Sequence, residues 1–364
     1  MKKILSIFGT RPEAIKMAPV VKAIEKSKGI ESRICITAQH REMLDRIMER
    51  FDIKADYDLD IMKHRQSISD ITCRVLSGIE KLLAEVGPDM VLVHGDTTTT
   101  FAGALASFYA QIPVGHVEAG LRTGNLYSPY PEEFNRQAVG IVANYHFAPT
   151  ETAKRNLLDE GKTKNIFVTG NTAIDALKAM VEKDYTSPLL DWVGDKKLIL
   201  ITAHRRENLG EPMGHMFRAI RRLAEERDDI KVVYPIHKNP LVREKAREVF
   251  GHSEVVKLIE PMDVYDFQNT MAKSHLILTD SGGIQEEAPS LGIPVLVMRD
   301  TTERPEGVAA GTLKLVGTDE ENIYKNFKLL LEDEAEYLAM SRTKNPYGDG
   351  FASDRIVEIL EKAL

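Results

Sequence analysis

The chain has 364 residues, of which 43% are hydrophobic and 28% charged, and a formal net charge of −7 at pH 7. This length exceeds the usual size of one hydrophobic core, so we expect two domains. The negative charge argues against a nucleic-acid partner, because a phosphate backbone requires a basic surface.

No stretch approaches the ~20 apolar residues that span a bilayer. The two cysteines form neither a disulfide framework nor a metal-spaced cluster. We therefore expect no membrane partner and a cytoplasmic location.

In the first half of the chain, short apolar runs alternate with longer amphipathic segments, which is typical of a parallel α/β fold. The apolar runs predict strands at residues 3–8, 32–37, 90–94, 113–117, 145–148 and 166–169. The amphipathic segments predict helices at residues 12–27, 39–51, 68–86 and 98–109.

The same alternation repeats after Gly170. Strands are predicted at residues 197–202, 231–234, 254–258, 275–279, 294–297 and 312–315. Helices are predicted at residues 213–227, 240–250, 264–272, 283–291 and 320–331. The simplest account is an α/β fold of two Rossmann-like domains, residues 1–170 and 171–350. Periodicity also predicts a final helix at residues 351–364, without indicating the domain to which it belongs.

Polar clusters lie at or just past the carboxyl ends of five predicted strands. They occupy residues 9–11, 94–97, 116–118, 204–207 and 281–283. Ligands of open α/β sheets bind at that edge of the sheet. If the two carboxyl edges face each other, all five clusters line one central cleft.

Asp96 and Glu118 follow neighbouring strands of the predicted first sheet. Adjacent strands lie roughly 4.8 Å apart, so both carboxylates can reach one reacting atom. Two close carboxylates push their pKa values apart, which suits one as general base and the other as general acid. The alternative is that Asp96 caps the helix that starts at Thr98 and that Glu118 is a solvated loop acid.

Glu132 belongs to a proline-rich segment at residues 127–133. A carboxylate on such a stiff loop can serve catalysis. More commonly, acids at such a position interact with the N-terminus of a helix. Composition alone favours this second interpretation.

Residues 279–287 contain two adjacent glycines, Gly282 and Gly283, at the predicted start of a helix. The exposed N–H groups of a helix start favour a phosphate, and Glu287 is placed to accept hydrogen bonds from ribose hydroxyls. The alternative is a tight turn followed by ordinary helix-start acids. The segment is neither a P-loop nor a dinucleotide fingerprint, which argues against ATP and NAD.

Arg11 and His204 are two further candidates for binding an anion. The guanidinium of Arg11 can hold a phosphate with two hydrogen bonds, or Arg11 can be a surface residue of the first helical turn. His204 can bind a diphosphate, act as an acid or base, or be structural. No spacing of His, Cys and Asp matches a zinc or calcium site, so we predict no metal.

Seven ordered motifs resemble those of the non-hydrolysing UDP-N-acetylglucosamine 2-epimerases, and the resemblance spans essentially the whole chain. They lie at residues 8–16 (FGTRPEAIK), 93–100 (VHGDTTTT), 115–123 (GHVEAGLRT), 128–133 (SPYPEE), 203–207 (AHRRE), 279–289 and 299–306 (RDTTERPE). The resemblance implies a GT-B-like fold, in which two Rossmann-like domains border a central cleft. It also implies that the helix at residues 351–364 crosses back to the first domain and that the protein is a homodimer.

The same resemblance assigns residues to the reaction. It implies that Asp96, Glu118 and Glu132 are catalytic and that His204 assists them. It implies that the UDP-sugar is bound by Arg11, Lys16, Arg136, His204, Phe267, Ser281, Gly282, Gly283, Glu287 and Arg304. Bacterial members have a second, regulatory UDP-N-acetylglucosamine site, whose positions match Gln39, Arg65 and His237 here. The position of Glu42 belongs to the same site, but some members have glutamine there.

The implied reaction is the reversible epimerisation of UDP-N-acetylglucosamine at C2 to UDP-N-acetylmannosamine, a precursor of cell-envelope polysaccharide. UDP is eliminated to leave a bound 2-acetamidoglucal and then adds back. Two acids are needed because the proton leaves one face of the sugar and arrives on the other. The reaction requires no metal and no nicotinamide, so we predict no cofactor. UDP-N-acetylglucosamine is expected both as substrate and as allosteric activator.

Three other functions are compatible with a UDP-sugar site. A glycosyltransferase of the same architecture would need an acceptor groove in addition. A hydrolysing 2-epimerase would release free N-acetylmannosamine and UDP. A non-catalytic UDP-sugar sensor is disfavoured, because a protein that only binds gains nothing from carboxylates beside a diphosphate.

Overall fold

In the computed structural model, the described residues are 1–38, 41–63 and 65–364, without the side chains of residues 41–43. They form two compact units. The first comprises Met1–Ala179 together with Tyr347–Leu364, and the second comprises Met180–Pro346. Each unit is described by itself below.

The first unit contains a parallel sheet of seven strands in the order β3-β2-β1-β4-β5-β6-β7. The strands are β1 (Lys2–Phe8), β2 (Ile30–Ile36), β3 (Tyr57–Asp58), β4 (Met90–His94), β5 (Val114–Val117), β6 (Tyr145–Ala148) and β7 (Ile166–Val168). The helices that connect and follow them are α1 (Arg11–Lys26), α2 (Arg41–Arg50), α3 (Ile68–Val86), α4 (Thr98–Tyr109), α5 (Glu132–Val142), α6 (Glu151–Asp159) and α7 (Thr172–Met180).

The second unit contains a parallel sheet of six strands in the order β10-β9-β8-β11-β12-β13. The strands are β8 (Lys197–Thr202), β9 (Ile230–Pro235), β10 (Val256–Ile259), β11 (Leu276–Thr279), β12 (Val295–Val297) and β13 (Leu313–Leu315). Its helices are α8 (Pro188–Val193), α9 (Glu211–Glu225), α10 (Pro240–Phe250), α11 (Val264–Ala272), α12 (Gly282–Glu287), α13 (Pro305–Ala310), α14 (Glu320–Glu332) and α15 (Glu334–Ser341). The predicted class, an α/β fold with two Rossmann-like domains, is confirmed.

The last helix, α16 (Ala352–Ala363), belongs to the first unit. It lies against α1, where the hydroxyl of Ser27 donates to Glu361 at 2.6 Å. Asp175 of α7 accepts backbone N–H groups from the start of α16, including that of Ser353 at 2.7 Å. These bonds hold α7 in the first unit, so the division falls after Ala179, later than the predicted boundary at Gly170. The second unit ends at Pro346 rather than at Gly350, because Asn171 of the first unit donates its N–H to the carbonyl of Tyr347 at 2.8 Å.

The central strands of both sheets are buried on both faces, which explains their continuous apolar sequences. In the first sheet, Ile7 of β1 lies between Cys35 and Val93 of its two neighbouring strands, and all three are fully buried. In the second, Phe217 of α9 packs edge-on against Tyr234 of β9, with ring centroids 5.4 Å apart. Burying one such large apolar side chain contributes roughly 1.5–3 kcal/mol.

Periodicity missed the short elements β3, α8, α13 and α15 as well as α5, α6 and α7. A strand of two residues or a helix of six residues is too short to show a period. Within the described residues, no helix is long and apolar enough to cross a membrane.

Candidate functional site

Each sheet reverses its strand order at one point, and the predicted clusters gather at the carboxyl edge there. In the first sheet the reversal lies between β1 and β4, and in the second between β8 and β11. Ligands of open α/β sheets bind at such switch points. Each unit therefore presents one candidate cluster, and the two clusters are described in turn.

Glu118 follows β5, and its side chain is only 9% exposed. Its carboxylate pairs with the ammonium of Lys16 from α1. The ring of His94, at the end of β4, places Nε2 3.8 Å from Oε2 of Glu118. Glu118 is therefore not the solvated loop acid of the alternative interpretation.

The backbone of Glu118 is strained, with φ at +62°. A non-glycine residue in this region costs on the order of 1–3 kcal/mol, and such residues concentrate at active sites. The turn after β4 is tied to the same place, because the N–H of Gly95 donates to the carbonyl of Val117 at 2.9 Å. The backbone thus holds the ends of β4 and β5 together.

Asp96, in the turn after β4, is held by Arg136 of α5. The Nε and Nη2 atoms of Arg136 lie 2.8 and 2.7 Å from Oδ2 of Asp96. Burial raises the pKa of Asp96, Arg136 opposes this shift, and the charge of Glu118 adds to it. The helix cap of α4 is Thr97, whose hydroxyl accepts the N–H of Thr100 at 3.1 Å. Asp96 is therefore not the cap, and its carboxylate is directed to Arg136 instead.

Two adjacent acids begin α5, and the contacts among the described residues give Glu133 a structural role. Glu133 is fully buried and accepts hydrogen bonds from the N–H groups of Thr123 (3.1 Å) and Gly124 (3.3 Å) and from Nη1 of Arg136 (3.0 Å). Burial alone would raise the pKa of Glu133, but the hydrogen bonds hold it below its usual value. Glu132 is half-buried at the first position of α5. Glu133 anchors the loop, and Glu132 remains the catalytic candidate.

A buried carboxylate that sequence reasoning missed organises the first cluster. Glu13 accepts hydrogen bonds from the N–H groups of Gly9 (3.1 Å) and Thr10 (2.8 Å) and from the hydroxyl of Thr97 (2.7 Å). These bonds join the turn after β1 to the turn after β4. The signal in the sequence was the capping-box spacing of Thr10 and Glu13. Arg11 is the exposed first residue of α1.

In the second unit, the buried Asp280 organises the residues that follow β8. Its carboxylate accepts the N–H groups of His204 (2.9 Å) and Arg205 (2.8 Å) and the side-chain amide of Asn208 (3.2 Å). The imidazole of His204 is 39% exposed. Burial lowers its pKa, while the charge of Asp280 opposes the shift. Sequence reasoning missed Asp280, although its position directly after β11 was a signal.

The segment at residues 281–283, which we call the glycine segment, lies just past β11 as predicted. Ser281 donates its N–H to the hydroxyl of Thr279 at 2.9 Å, and Gly282 begins α12. The six residues of α12 continue into a 3₁₀ turn at Ala288–Leu291. Gly283 is exposed at this turn. The structure therefore brings the serine and both glycines to the carboxyl edge of the second sheet.

Glu287 lies on the last position of α12 and is half-buried. It accepts a hydrogen bond from Nε2 of Gln268 at 3.2 Å. Gln268 is buried, and its Oε1 atom has no hydrogen-bond partner among the residues that the structure describes. Phe267 precedes it on α11 and is half-buried. Gln268 thus orients Glu287, a role that no local pattern had indicated.

Arg304 lies beside α12. Its Nε donates to the carboxylate of Glu286. The neighbouring Thr302 donates its hydroxyl to Oε1 of Gln285 at 2.5 Å. These contacts dock the segment before α13 on α12, and they place Arg304 near the glycine segment.

Two of the four regulatory candidates, His237 and Arg65, lie among the residues that the structure describes with their side chains. His237 follows β9, and its ring stacks on that of His204 with centroids 5.1 Å apart. Arg65 is exposed in the first unit, in the loop before α3. Gln39 and the side chain of Glu42 lie outside the described residues. His237 is the one described candidate placed against a predicted catalytic residue.

No group of three or more His, Cys, Asp or Glu side chains that could hold a metal ion occurs in residues 1–38, 41–63 and 65–364. The described carboxylates of the first cluster are instead matched with the cationic side chains of Lys16 and Arg136. The two cations offset the repulsion between the two carboxylates, which can therefore lie close together and exchange protons with a substrate.

Comparisons with known proteins all identify one family, and each match covers most of the chain. The family model for UDP-N-acetylglucosamine 2-epimerase matches residues 22–361. The UDP-N-acetylglucosamine 2-epimerase of Bacillus subtilis (strain 168) is 64% identical over 359 residues, which cover 98% of this chain and 94% of the relative. That of Escherichia coli (strain K12) is 55% identical, covering 99% of this chain and 98% of the relative. The crystal structure of UDP-GlcNAc 2-epimerase from Neisseria meningitidis bound to UDP-GlcNAc is 53% identical, with a TM-score of 0.87 and coverage of 99% and 100%.

Proposed function

Because the chain belongs to the UDP-N-acetylglucosamine 2-epimerase family, a family of isomerases, we propose that it interconverts UDP-N-acetylglucosamine and UDP-N-acetylmannosamine. One observation supports this function most. Asp96 and Glu118 follow neighbouring strands, and each is paired with its own cation, Arg136 or Lys16. Inversion of C2 requires one carboxyl group that takes up a proton and another that delivers one. Different electrostatic surroundings suit the two acids to these two roles.

The proposed reaction runs by elimination and re-addition. One carboxylate removes the proton from C2 while the C1–O bond to UDP breaks, and the electron pair of the C–H bond forms the C1–C2 double bond. The product of this step is a bound 2-acetamidoglucal. The second acid then delivers a proton to the opposite face of C2 as UDP adds back to C1. No electrons are gained or lost overall, so the reaction needs no redox cofactor.

Glu132 and His204 support these steps in the proposal. Glu132 is held at the start of α5, directly beside the buried Glu133 that anchors the loop. It supplies a third carboxyl group for handling the proton. The ring of His204, whose backbone is fixed by Asp280, assists the departure of UDP.

We assign the uridine diphosphate to the second unit. Gly282 and Gly283 offer N–H groups and Ser281 offers its hydroxyl to the phosphates, and Glu287 accepts hydrogen bonds from the ribose. Phe267 and Arg304 complete these contacts. Arg11 and Lys16 of the first unit supply positive charge for the diphosphate as it leaves.

A row of exposed apolar side chains supports the proposed homodimer. Phe108 of α4 and Phe134 and Ile141 of α5 are 55%, 48% and 78% exposed. Phe101 contacts Phe134 edge-on at 5.6 Å, and Phe108 and Ile141 each lie about two helical turns beyond that pair. They therefore form one surface, which we call the α4–α5 row. Contiguous exposed apolar surface of this kind marks an interaction site.

A second UDP-N-acetylglucosamine is the proposed activator. The positions that match its site in the family are Gln39, Glu42, Arg65 and His237. The stacking of His237 on His204 gives this ligand a direct physical connection to a catalytic group. In the cell, the enzyme would act in the cytoplasm on nucleotide sugars and supply UDP-N-acetylmannosamine for cell-envelope polysaccharide.

The test is incubation with UDP-N-acetylglucosamine alone in D₂O, followed by proton NMR. We expect a mixture with UDP-N-acetylmannosamine, with deuterium at C2 of both sugars. Free N-acetylmannosamine with UDP would identify a hydrolysing enzyme instead. Turnover that needs an added acceptor would identify a glycosyltransferase. Retention of the original hydrogen at C2 would exclude the proposed mechanism.

A further inference from the structure

His94 is a buried histidine to which the proposed reaction assigns no role. It is 3% exposed at the end of β4. Its Nε2 atom has no hydrogen-bond partner within the described part of the chain. Buried polar atoms are nearly always paired, so an unpaired one calls for an explanation. The group that it faces is the carboxylate of Glu118, 3.8 Å away.

The protonation of the His94 ring follows from its surroundings. Burial lowers its pKa to about 4, while Glu118 opposes the shift and Lys16 adds to it, so the ring is neutral at pH 7. A neutral imidazole carries one N–H and one lone pair. The backbone of His94 favours the protonated ring, as expected where a ring N–H faces its own carbonyl group. Because Nε2 has no hydrogen-bond partner among the described residues, we place the N–H on Nδ1 and the lone pair on Nε2, which faces Glu118.

The two neighbours of Glu118 consequently favour opposite states of its carboxyl group. The ammonium of Lys16 stabilises the carboxylate. A lone pair on His94 repels the carboxylate but can accept a hydrogen bond from the protonated acid. Asp96, whose charge also acts on Glu118, favours the protonated acid as well. In the proposed reaction Glu118 must pass through both states, because a group that takes a proton from C2 in one direction delivers it in the other.

We propose that His94 is a positioning residue for Glu118, whose protonated carboxyl group donates a hydrogen bond to Nε2 of His94 during turnover. This role rests on the proposed epimerase function. The step changes no covalent bond of His94: the proton moves from C2 of the sugar to Glu118, and its new O–H is then oriented by the ring. A shift of roughly 1 Å closes the distance from 3.8 Å to hydrogen-bond length.

Two substitutions of similar size distinguish the two ring nitrogens. The amide of His94→Gln reaches the position of Nε2 and can accept from Glu118, whereas that of His94→Asn reaches only the position of Nδ1. We expect His94→Asn to lower kcat by roughly 10- to 100-fold, the usual effect of one lost buried hydrogen bond, with KM within about twofold. His94→Gln should recover most of that loss. His146→Asn is the control, because His146 is equally buried on the next strand but one, and it should keep normal kcat.

Imidazole nitrogen NMR tests the same inference without turnover. In the intact protein, we expect Nε2 of His94 to be unprotonated between pH 6 and 8. Its resonance should shift in Glu118→Gln, because the new side-chain amide can donate to it as the protonated acid would. An Nε2–H tautomer, or equal losses of kcat in His94→Asn and His94→Gln, would overturn the proposal. If the wild type does not epimerise, the proposed function fails, while the tautomer is still decided by the spectrum.

Discussion

The imidazole of His204 stacks on that of His237, with ring centroids 5.1 Å apart and an angle of 17° between the ring planes. Burial lowers the pKa of His204, and the nearby His237 lowers it further. The family resemblance assigns His237 to the regulatory site and His204 to catalysis, and the two rings are in direct contact. The contact offers a short route by which a second ligand can act on the reaction.

We predict that the wild-type rate depends sigmoidally on UDP-N-acetylglucosamine and that His237→Phe makes the dependence hyperbolic. Phenylalanine preserves the stacked ring, so kcat should stay within about threefold of normal, whereas His237→Ala removes the stack and should also lower kcat. Arg65→Ala has no part in the stack and should remove only the sigmoidal dependence. Steady-state kinetics over a wide substrate range checks this prediction. Hyperbolic wild-type kinetics that His237→Ala leaves unchanged would contradict it.

Replacing each proposed proton carrier should slow the reaction. Asp96→Asn, Glu118→Gln and Glu132→Gln are each expected to lower kcat by roughly 100-fold or more, the usual scale for acid–base groups. UDP binding, followed by calorimetry, should survive because we assign it mainly to the second unit. Glu151→Gln is the matched control, since Glu151 is an exposed acid in the first turn of α6. A variant that keeps near-normal turnover is not an essential proton carrier.

The α4–α5 row should mediate self-association. Ile141→Glu places a charge on the most exposed side chain of the row and is expected to give a monomer. Light scattering during gel filtration measures this change. Leu158→Glu introduces the same charge at an exposed leucine of α6 and should leave the dimer intact. The interface assignment is refuted by a wild-type monomer or by a dimeric Ile141→Glu variant.

Gly9 is required by close approach rather than by its backbone angle. A Cβ atom at this position would lie 1.9 Å from the hydroxyl oxygen of Thr37 and 2.7 Å from that of Thr99. We expect Gly9→Ala to lower the free energy of unfolding by about 1–3 kcal/mol, the cost of overpacking a buried site. Gly29→Ala is the control, because no atom lies within 4 Å of its added Cβ. Thermal melts of the two variants should therefore differ, and equal melting temperatures would contradict the assignment.

The ion pair of Glu160 with Arg122 should make stability depend on pH. Hydrogen bonds from Arg122 lower the pKa of Glu160 to about 2 in the folded protein, against about 4.3 in an unfolded chain. A depressed carboxyl pKa adds stability above the unfolded value, and this stability is lost as the pH falls toward 2. Glu160→Gln should therefore lower Tm at pH 7, with a gap to wild type that closes between pH 5 and pH 2. A gap that stays constant over this range would show that the charge of Glu160 is not responsible.

Much of the fold was accessible from the sequence because local patterns report directly on burial. The apolar run at residues 90–94 predicts the strand that the structure contains at Met90–His94. The run at residues 3–8 predicts β1 to within one residue. Such strands are buried on both faces, so their sequences are continuously apolar. The order of the motifs was likewise sufficient to indicate the family.

The sequence by itself thus determined the α/β class and the strand ends that carry polar clusters. Only the tertiary structure decided which partners those residues have. Lys16 and Glu118 are 102 positions apart, and Arg136 is 40 positions from Asp96. Pairing and burial set the charge state of a carboxylate, and both depend on side chains from distant segments. A local sequence pattern does not indicate which distant cation will pair with a given carboxylate.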